Sequence, residues 1–242
     1  MSFDLPRDTV FAVSDVRVAL DPAPHPFEVD NAAAIATHWR EASAANPALF
    51  DGEVALLSAL ALRGGVLVGR SHLVRYSSFL YWRKVRPVGG AGHVFAHAMP
   101  VSSDGALVAI RMGEHTINAG RIYFAAGSFE RIDFRNGMAD PEVNMRREVM
   151  EETGLDLSAA RADPHYHAVS IAAGTVLFRR YYLDETADAL AAHIRAHVAR
   201  ETDPEIDGPV ILRAGEPEPD NLAPQMPPML EWHFGERIGS SE

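Results

Sequence analysis

Hydrophobic and polar positions along the chain alternate between two periods, and the changes of period outline its elements. Residues 9–20, TVFAVSDVRVAL, are valine-rich and partly alternating, which predicts a strand that ends before Pro22, Pro24 and Pro26. An alanine-rich run from about Val29 to Ala45, carrying Ile35, Trp39 and Arg40, predicts a helix closed by NPALFDG at 46–52. Strands are expected at 53–62 and 65–70, around Gly64 and Gly65. SHLVRYSSFLYWRK, residues 71–84, spaces Leu73, Tyr76 and Leu80, with Phe79, as the inward face of a helix. Arg75, Arg83, Lys84 and Arg86 are read as its solvated end rather than as phosphate ligands. PVGGAG at 87–92 is the strongest linker candidate.

Beyond that linker the period is mostly two. HVFAHAMPVSS and ALVAIRMG read as strands about a turn near Ser103–Gly105, and RIYFAAG as a third. A helix is expected at about 141–153, a strand pair at 165–183 turning at Gly174, and an alanine-rich helix at 185–200. PVILRA is a further strand, the proline-rich 215–228 a loop, and MLEWHFGERI a closing helix. There is no internal repeat and no sustained heptad.

Composition narrows the partners more than the fold. A formal net charge of −11 argues against a nucleic-acid surface, because duplex binding needs a basic footprint. A small anion whose phosphates are screened by metal ions stays compatible with it. The absence of cysteine excludes disulfides, thiolate metal sites and a cysteine nucleophile. No apolar run reaches membrane-spanning length, and MSFDLPRDTVFAVSD lacks the marks of a signal peptide, so a cytoplasmic protein without membrane contact is expected.

Chemistry concentrates in Asp140 to Leu157, DPEVNMRREVMEETGLDL. Asp140 can cap a helix, Pro141 suits its first turn and Gly154 its left-handed exit. At about 100° per residue, Glu148, Glu151 and Glu152 fall on one face, spaced i, i+3 and i+4. Such crowding of like charge calls for a positive partner. Arg147, four residues before Glu151, offsets only part of it, and hard divalent cations with oxygen ligands are the natural remainder.

REVMEETGL, Arg147 to Leu155, resembles the second half of the Nudix box at every fixed position: Arg-Glu, aliphatic, any, Glu-Glu, any, Gly, aliphatic. The first half departs from that pattern. Counting back the usual seven residues puts Ala139 where a glutamate is expected. Taking Gly127 as the opening glycine instead leads to Asp133, with six extra residues before Arg147 and an enlarged loop from Phe134 to Asp140. The second alignment is preferred.

The resemblance implies an α/β/α sandwich with a mixed central sheet over residues 91–242. A smaller α+β extension over 1–90 is expected to shape the substrate pocket or a homodimer contact. It implies Glu148, Glu151 and Glu152 as ligands for Mg²⁺, with Mn²⁺ an alternative, and Arg147 as the residue that holds the array. A late-loop acid is expected to act as base or further ligand, with Glu205 the first choice and Glu201 the second. The implied reaction is hydrolysis of a nucleoside diphosphate linked to another group, a nucleotide sugar, a coenzyme A derivative or similar. NPALFDG followed by FLYWRK is similar to Nudix proteins of the UDP-sugar pyrophosphatase kind, but no motif discriminates the substrate.

Two other classes are weighed against this one. A non-catalytic nucleotide sensor would keep the helix without hydrolysis, and an interaction scaffold would show no metal affinity. His165 and His167 share a strand face but lack a third ligand, and His93 and His97 lie in a strand rather than on a helix. Ser77–Ser78 and Ser102–Ser103 lack a nucleophile-elbow setting, and Gly89, Gly90 and Gly92 suit a linker better than a dinucleotide fingerprint.

Overall fold

The computed structural model describes residues 3–47, 49–87 and 89–239. Met1 and Ser2 of the amino-terminal stretch, Ala48 of NPALFDG and Val88 of the linker candidate lie outside the described residues.

From the amino end, β1 (Phe3–Asp4), β2 (Val10–Val13) and β3 (Asp15–Leu20) precede helices α1 (Pro26–Asp30) and α2 (Ala32–Ala45). Strands β4 (Glu53–Arg63) and β5 (Val66–Arg75) lead into α3 (Tyr76–Val85). Then come β6 (Val94–Val101), β7 (Leu107–Met112), β8 (Ile122–Tyr123), β9 (Phe134–Arg135) and β10 (Met138–Ala139), followed by α4 (Pro141–Thr153). The chain ends with β11 (Arg161–Ala162), β12 (Tyr166–Ile171), β13 (Gly174–Tyr182), α5 (Ala187–Val198), β14 (Ile206–Leu212) and α6 (Met226–Gly239).

The fold is mixed α/β, built on two mixed sheets. One runs β1-β4-β5-β3-β10-β9, the other β14-β7-β6-β13-β12-β2. Both contain parallel and antiparallel pairs: β13 runs parallel to β6 and antiparallel to β12, while β3 runs parallel to β5 and β4 antiparallel to it.

Alternation along β13 assigns the layers of the larger sheet. Arg179 and Tyr181 reach Glu142 on α4, whereas Phe178 and Arg180 meet Trp232 on α6. Successive strand residues point to opposite faces, so α4 and α6 cover opposite sides. Alternation along β4 does the same for the smaller sheet. Val54 and Leu56 pack with Phe27, Ile35, Phe79 and Trp82 of α1 to α3, while Ala55 and Leu57 join the main core. Val18 and Leu67 meet Val94, Phe129 and Leu177 there, so the two sheets share one interior.

Three departures from the sequence-based expectations have physical causes. The single strand expected at 9–20 divides at Ser14, whose backbone N–H and hydroxyl both donate to Gly65 O, at 2.8 and 3.0 Å. On one side β2 pairs antiparallel with β12, and on the other β3 pairs parallel with β5. The helix expected from residue 71 begins at Tyr76, because Ser71 to Arg75 stay in the ladder with β4 and satisfy their backbone groups there. The helix expected from Val29 is two helices parted at Asn31, whose side-chain amide donates to Phe27 O at 2.8 Å.

The enlarged loop from Phe134 to Asp140 contains the β9–β10 hairpin. Asn136 and Gly137 turn it with φ of 52° and 75°, the two positive values a two-residue hairpin favours. Met138 pairs with Ala19 of β3, and Leu20 N–H donates to Gly137 O at 2.8 Å.

Candidate active site

Local sequence positions α4 as expected. Asp140 caps it by accepting from the N–H groups of Glu142 and Val143, Pro141 opens it, and Gly154 leaves it at φ 72°. Met145 and Val149 are fully buried on its inner side. With that face fixed, Glu148, Glu151 and Glu152 border one cavity of about 210 Å³, whose far wall carries Glu201, Asp203 and Glu205. The residues expected to act together are therefore brought to one opening. Glu205 also borders the larger cleft described below, whereas Glu201 lies 3.9 Å from His197 on α5.

Arg147 is the hub of the cluster. Its guanidinium lies 3.0 Å from Asp133, 2.7 Å from Glu148 and 3.0 Å from Glu151, and its side chain is 17% exposed. Asp133 is wholly buried, and it also accepts from Asn144 Nδ2 at 3.0 Å and from Glu130 N–H at 2.8 Å. Of the two positions considered for the earliest acid, Asp133 thus holds Arg147, while Ala139 sits in β10. The structural part played by Asp133 was missed in the sequence. The Asn136–Gly137 pair was the signal that would have marked the extra residues as a hairpin returning the chain to the helix.

Gly127 is required where it stands. A Cβ there would lie 2.0 Å from Glu148 Oε1, so the loop can approach the carboxylate only without a side chain. One residue earlier, Ala126 N–H donates to Glu152 Oε2 at 3.2 Å. The loop after β8 and the acidic face of α4 are in direct contact.

Burial raises the Glu148 carboxyl to about 7, with Glu151, Asp133 and Glu130 adding to the effect and Arg147 opposing it. Glu152 is raised well above the ordinary range, first by burial and then by Glu148 and Glu205, against the Ala126 N–H. Negative charge at this opening exceeds what the protein itself compensates. An all-oxygen donor set with uncompensated charge fits a hard divalent cation, with Glu148, Glu151 and Glu152 the residues to hold it and Glu205 across the opening. Among the described residues no three such side chains already surround one point. Arg147 stands between Glu148 and Glu151, and Glu152 is turned to the loop.

A larger cleft of about 470 Å³ opens from Glu152 and Glu205. One wall is α3, through Tyr76, Phe79, Trp82 and Arg83, and another is the β7–β8 loop, through Ile117 and Arg121. His93, Phe95, Tyr123 and Gln225 also line it. Arg83, read in the sequence as a solvated helix end, faces this cleft. Of the other basic residues in that group, Arg75 pairs with Asp51, and Arg86 donates to Ala172 O while bordering the cleft. His167 packs against Trp232 and Phe178. His97 is buried between Phe124 O and Gln225.

No family model matches the chain, and no curated protein does. Among solved structures it is similar to a Nudix hydrolase from Nitrosomonas europaea, at 13% identity over 74% of this chain and 87% of that one, TM-score 0.38. It is similar to the E. coli ORF135 protein at 17% identity over 62% and 95%, TM-score 0.38. The MutT protein from Methanosarcina mazei Go1 follows at 18% identity, TM-score 0.27, where 37% of this chain spans 61% of that one. At these scores the likeness carries no argument about activity.

Proposed function

We propose that the protein is a divalent-metal-dependent hydrolase of the Nudix type that cleaves the diphosphate linkage of a nucleoside diphosphate derivative. The observation that carries this reading is the convergence of Glu148, Glu151, Glu152 and Glu205 on one opening, with Arg147 anchored to buried Asp133. The match of REVMEETGL to the second half of the Nudix box supports it, since the same residues supply both the motif and the geometry.

Glu148, Glu151 and Glu152 would hold Mg²⁺ or Mn²⁺, with Glu205 beside them. Bound there, the cation would supply Lewis-acid neutralisation of the diphosphate and acidify water for attack on phosphorus. Arg147 keeps the carboxylates aimed at the opening through its ties to Asp133. Glu205, on the wall facing Glu152, takes the proton from the attacking water. The cleft that continues past Glu152 and Glu205 receives the rest of the substrate.

The test is a panel of diphosphate compounds with Mg²⁺ or Mn²⁺, identifying both products by mass. Turnover that disappears in Glu152→Gln with unchanged folding supports the reading, and full turnover in that variant overturns it. A ligand sensor is the second reading, favoured by the absence, among the described residues, of three ligands already gathered about one point. Binding without product release across the panel would favour it.

A further inference from the structure

We infer that α3 carries the nucleotide-recognition subsite, in which Arg83 takes a phosphate of a ligand whose planar heterocycle lies against the aromatic wall of the cleft. The inference deepens the proposed hydrolase reading and rests on it for the direction of the substrate, but its binding chemistry stands on the cleft alone.

The wall is a continuous run of rings. Phe79 stacks on Trp82 at 5.7 Å and 21°, His93 stacks on Phe95 at 5.2 Å and 21°, and Phe79 bridges the two pairs by meeting His93 at 4.7 Å. His93 presents a neutral ring, because burial, seconded by the nearby charge of Arg83, holds it down to about 3. Ile117, also in the lining, leaves 51% of its surface exposed. A cleft lined by aromatic rings and an exposed aliphatic group suits a flat, largely apolar ring.

Charge identifies what the ring must carry. In a chain of net charge −11, this cleft sets Arg83, Arg86 and Arg121 against Glu152 and Glu205. Most of the other arginines are committed to carboxylates or carbonyls. Arg83 and Arg121 are not: neither guanidinium has a hydrogen-bond or ion-pair partner among the described residues. Arg83 is partly buried and lines the cleft, so its guanidinium is open to an anion that enters there. Trp82, on the same wall, leaves its buried indole Nε1 without an acceptor. A guanidinium fork beside stacked rings matches a phosphate attached to a heterocycle, and free pyrophosphate would use only half of it.

The experiment compares AMP, adenosine and ribose 5-phosphate on the full chain, by calorimetry and by tryptophan fluorescence, since Trp82 lines the cleft. AMP is expected to bind and quench, and ribose 5-phosphate to bind about tenfold more weakly for lack of the ring. Arg83→Gln is expected to weaken AMP by about tenfold or more while leaving adenosine unchanged. Arg121→Gln, on an exposed loop, provides a second variant if Arg83→Gln fails to fold. Equal binding of AMP and ribose 5-phosphate, or unaltered AMP binding in a folded Arg83→Gln, overturns the inference. Recognition of AMP with no turnover of any diphosphate would sink the hydrolase reading and leave the subsite standing, whereas turnover indifferent to Arg83 would do the reverse.

Discussion

Asp133 meets Arg147 through both carboxylate oxygens, with Nε 3.3 Å from Oδ1 and Nη2 3.0 Å from Oδ2, across a separation of 14 residues. The contact is buried on the aspartate side and nearly so on the arginine side. It ties the loop after β8 to the middle of α4, and so fixes how the acidic face is presented.

Asp133→Asn is expected to lower stability by about 1–3 kcal/mol, because it removes the buried charge from one of the three carboxylates that hold the Arg147 guanidinium. Urea midpoints measure this. A double-mutant cycle with Arg147→Gln should return a coupling of about 1 kcal/mol or more. A midpoint within about 0.5 kcal/mol of the parent would mean that Glu148 and Glu151 alone hold Arg147.

Gly127→Ala tests the close approach of the loop to Glu148. The intruding methyl meets the far end of a side chain that can rotate, so folding should be little disturbed. Turnover should fall on the order of a hundredfold, since the carboxylate is displaced by about an ångström or more from where it is needed. Parent-like kinetics would show that Glu148 need not occupy its place over the loop.

Glu205→Gln is expected to reduce kcat by about 10² or more with KM changed little, as for loss of a general base. Glu201→Gln should stay within about twofold, because Glu201, though it borders the acidic opening, lies against His197 and does not reach the larger cleft as Glu205 does. Reversed effects in the two variants would exchange their roles.

His97 supplies a pH-dependent term in stability. Burial holds its pKa down to about 4 against 6.5 in the unfolded chain, while Nδ1–H donates to Phe124 O at 2.7 Å. The unfolded state therefore binds the proton first, and stability is lost as pH falls from about 6.5 towards 4. Between about pH 7.5 and pH 5 the loss is about 2 kcal/mol. Glu148 and Glu152, raised by burial, act in the opposite sense over part of this window. The measurement is accordingly the difference from His97→Asn, which keeps a donor towards Phe124 O and removes the titration. Parallel curves for parent and variant would contradict the assignment.

What could be read in the sequence was local. Asp140, Pro141 and Gly154 announce both ends of α4, and the helix expected at about 141–153 runs Pro141–Thr153, because capping depends on a few adjacent residues. The i, i+3, i+4 spacing likewise put Glu148, Glu151 and Glu152 on one side before any tertiary contact was known. Sheet membership could not be read this way. TVFAVSDVRVAL reads as one valine-rich run, yet β2 and β3 belong to different sheets, since the partner of a strand is decided by distant residues. The cleft was hidden for the same reason: Arg83, Phe95, Arg121 and Gln225 carry no shared pattern, and only packing places them around one space.

The pairing of Met138 with Ala19 has an architectural corollary. The stretch leading into the glutamate helix borrows its edge from a strand made before residue 21, just as β12 borrows β2. A fragment starting at residue 91 would strip hydrogen bonds from both borders at once and uncover Leu177, Val94 and Phe129 to water. Swapping the amino-terminal part between relatives, as one would a detachable module, should thus misplace the carboxylates themselves along with the groove beside them.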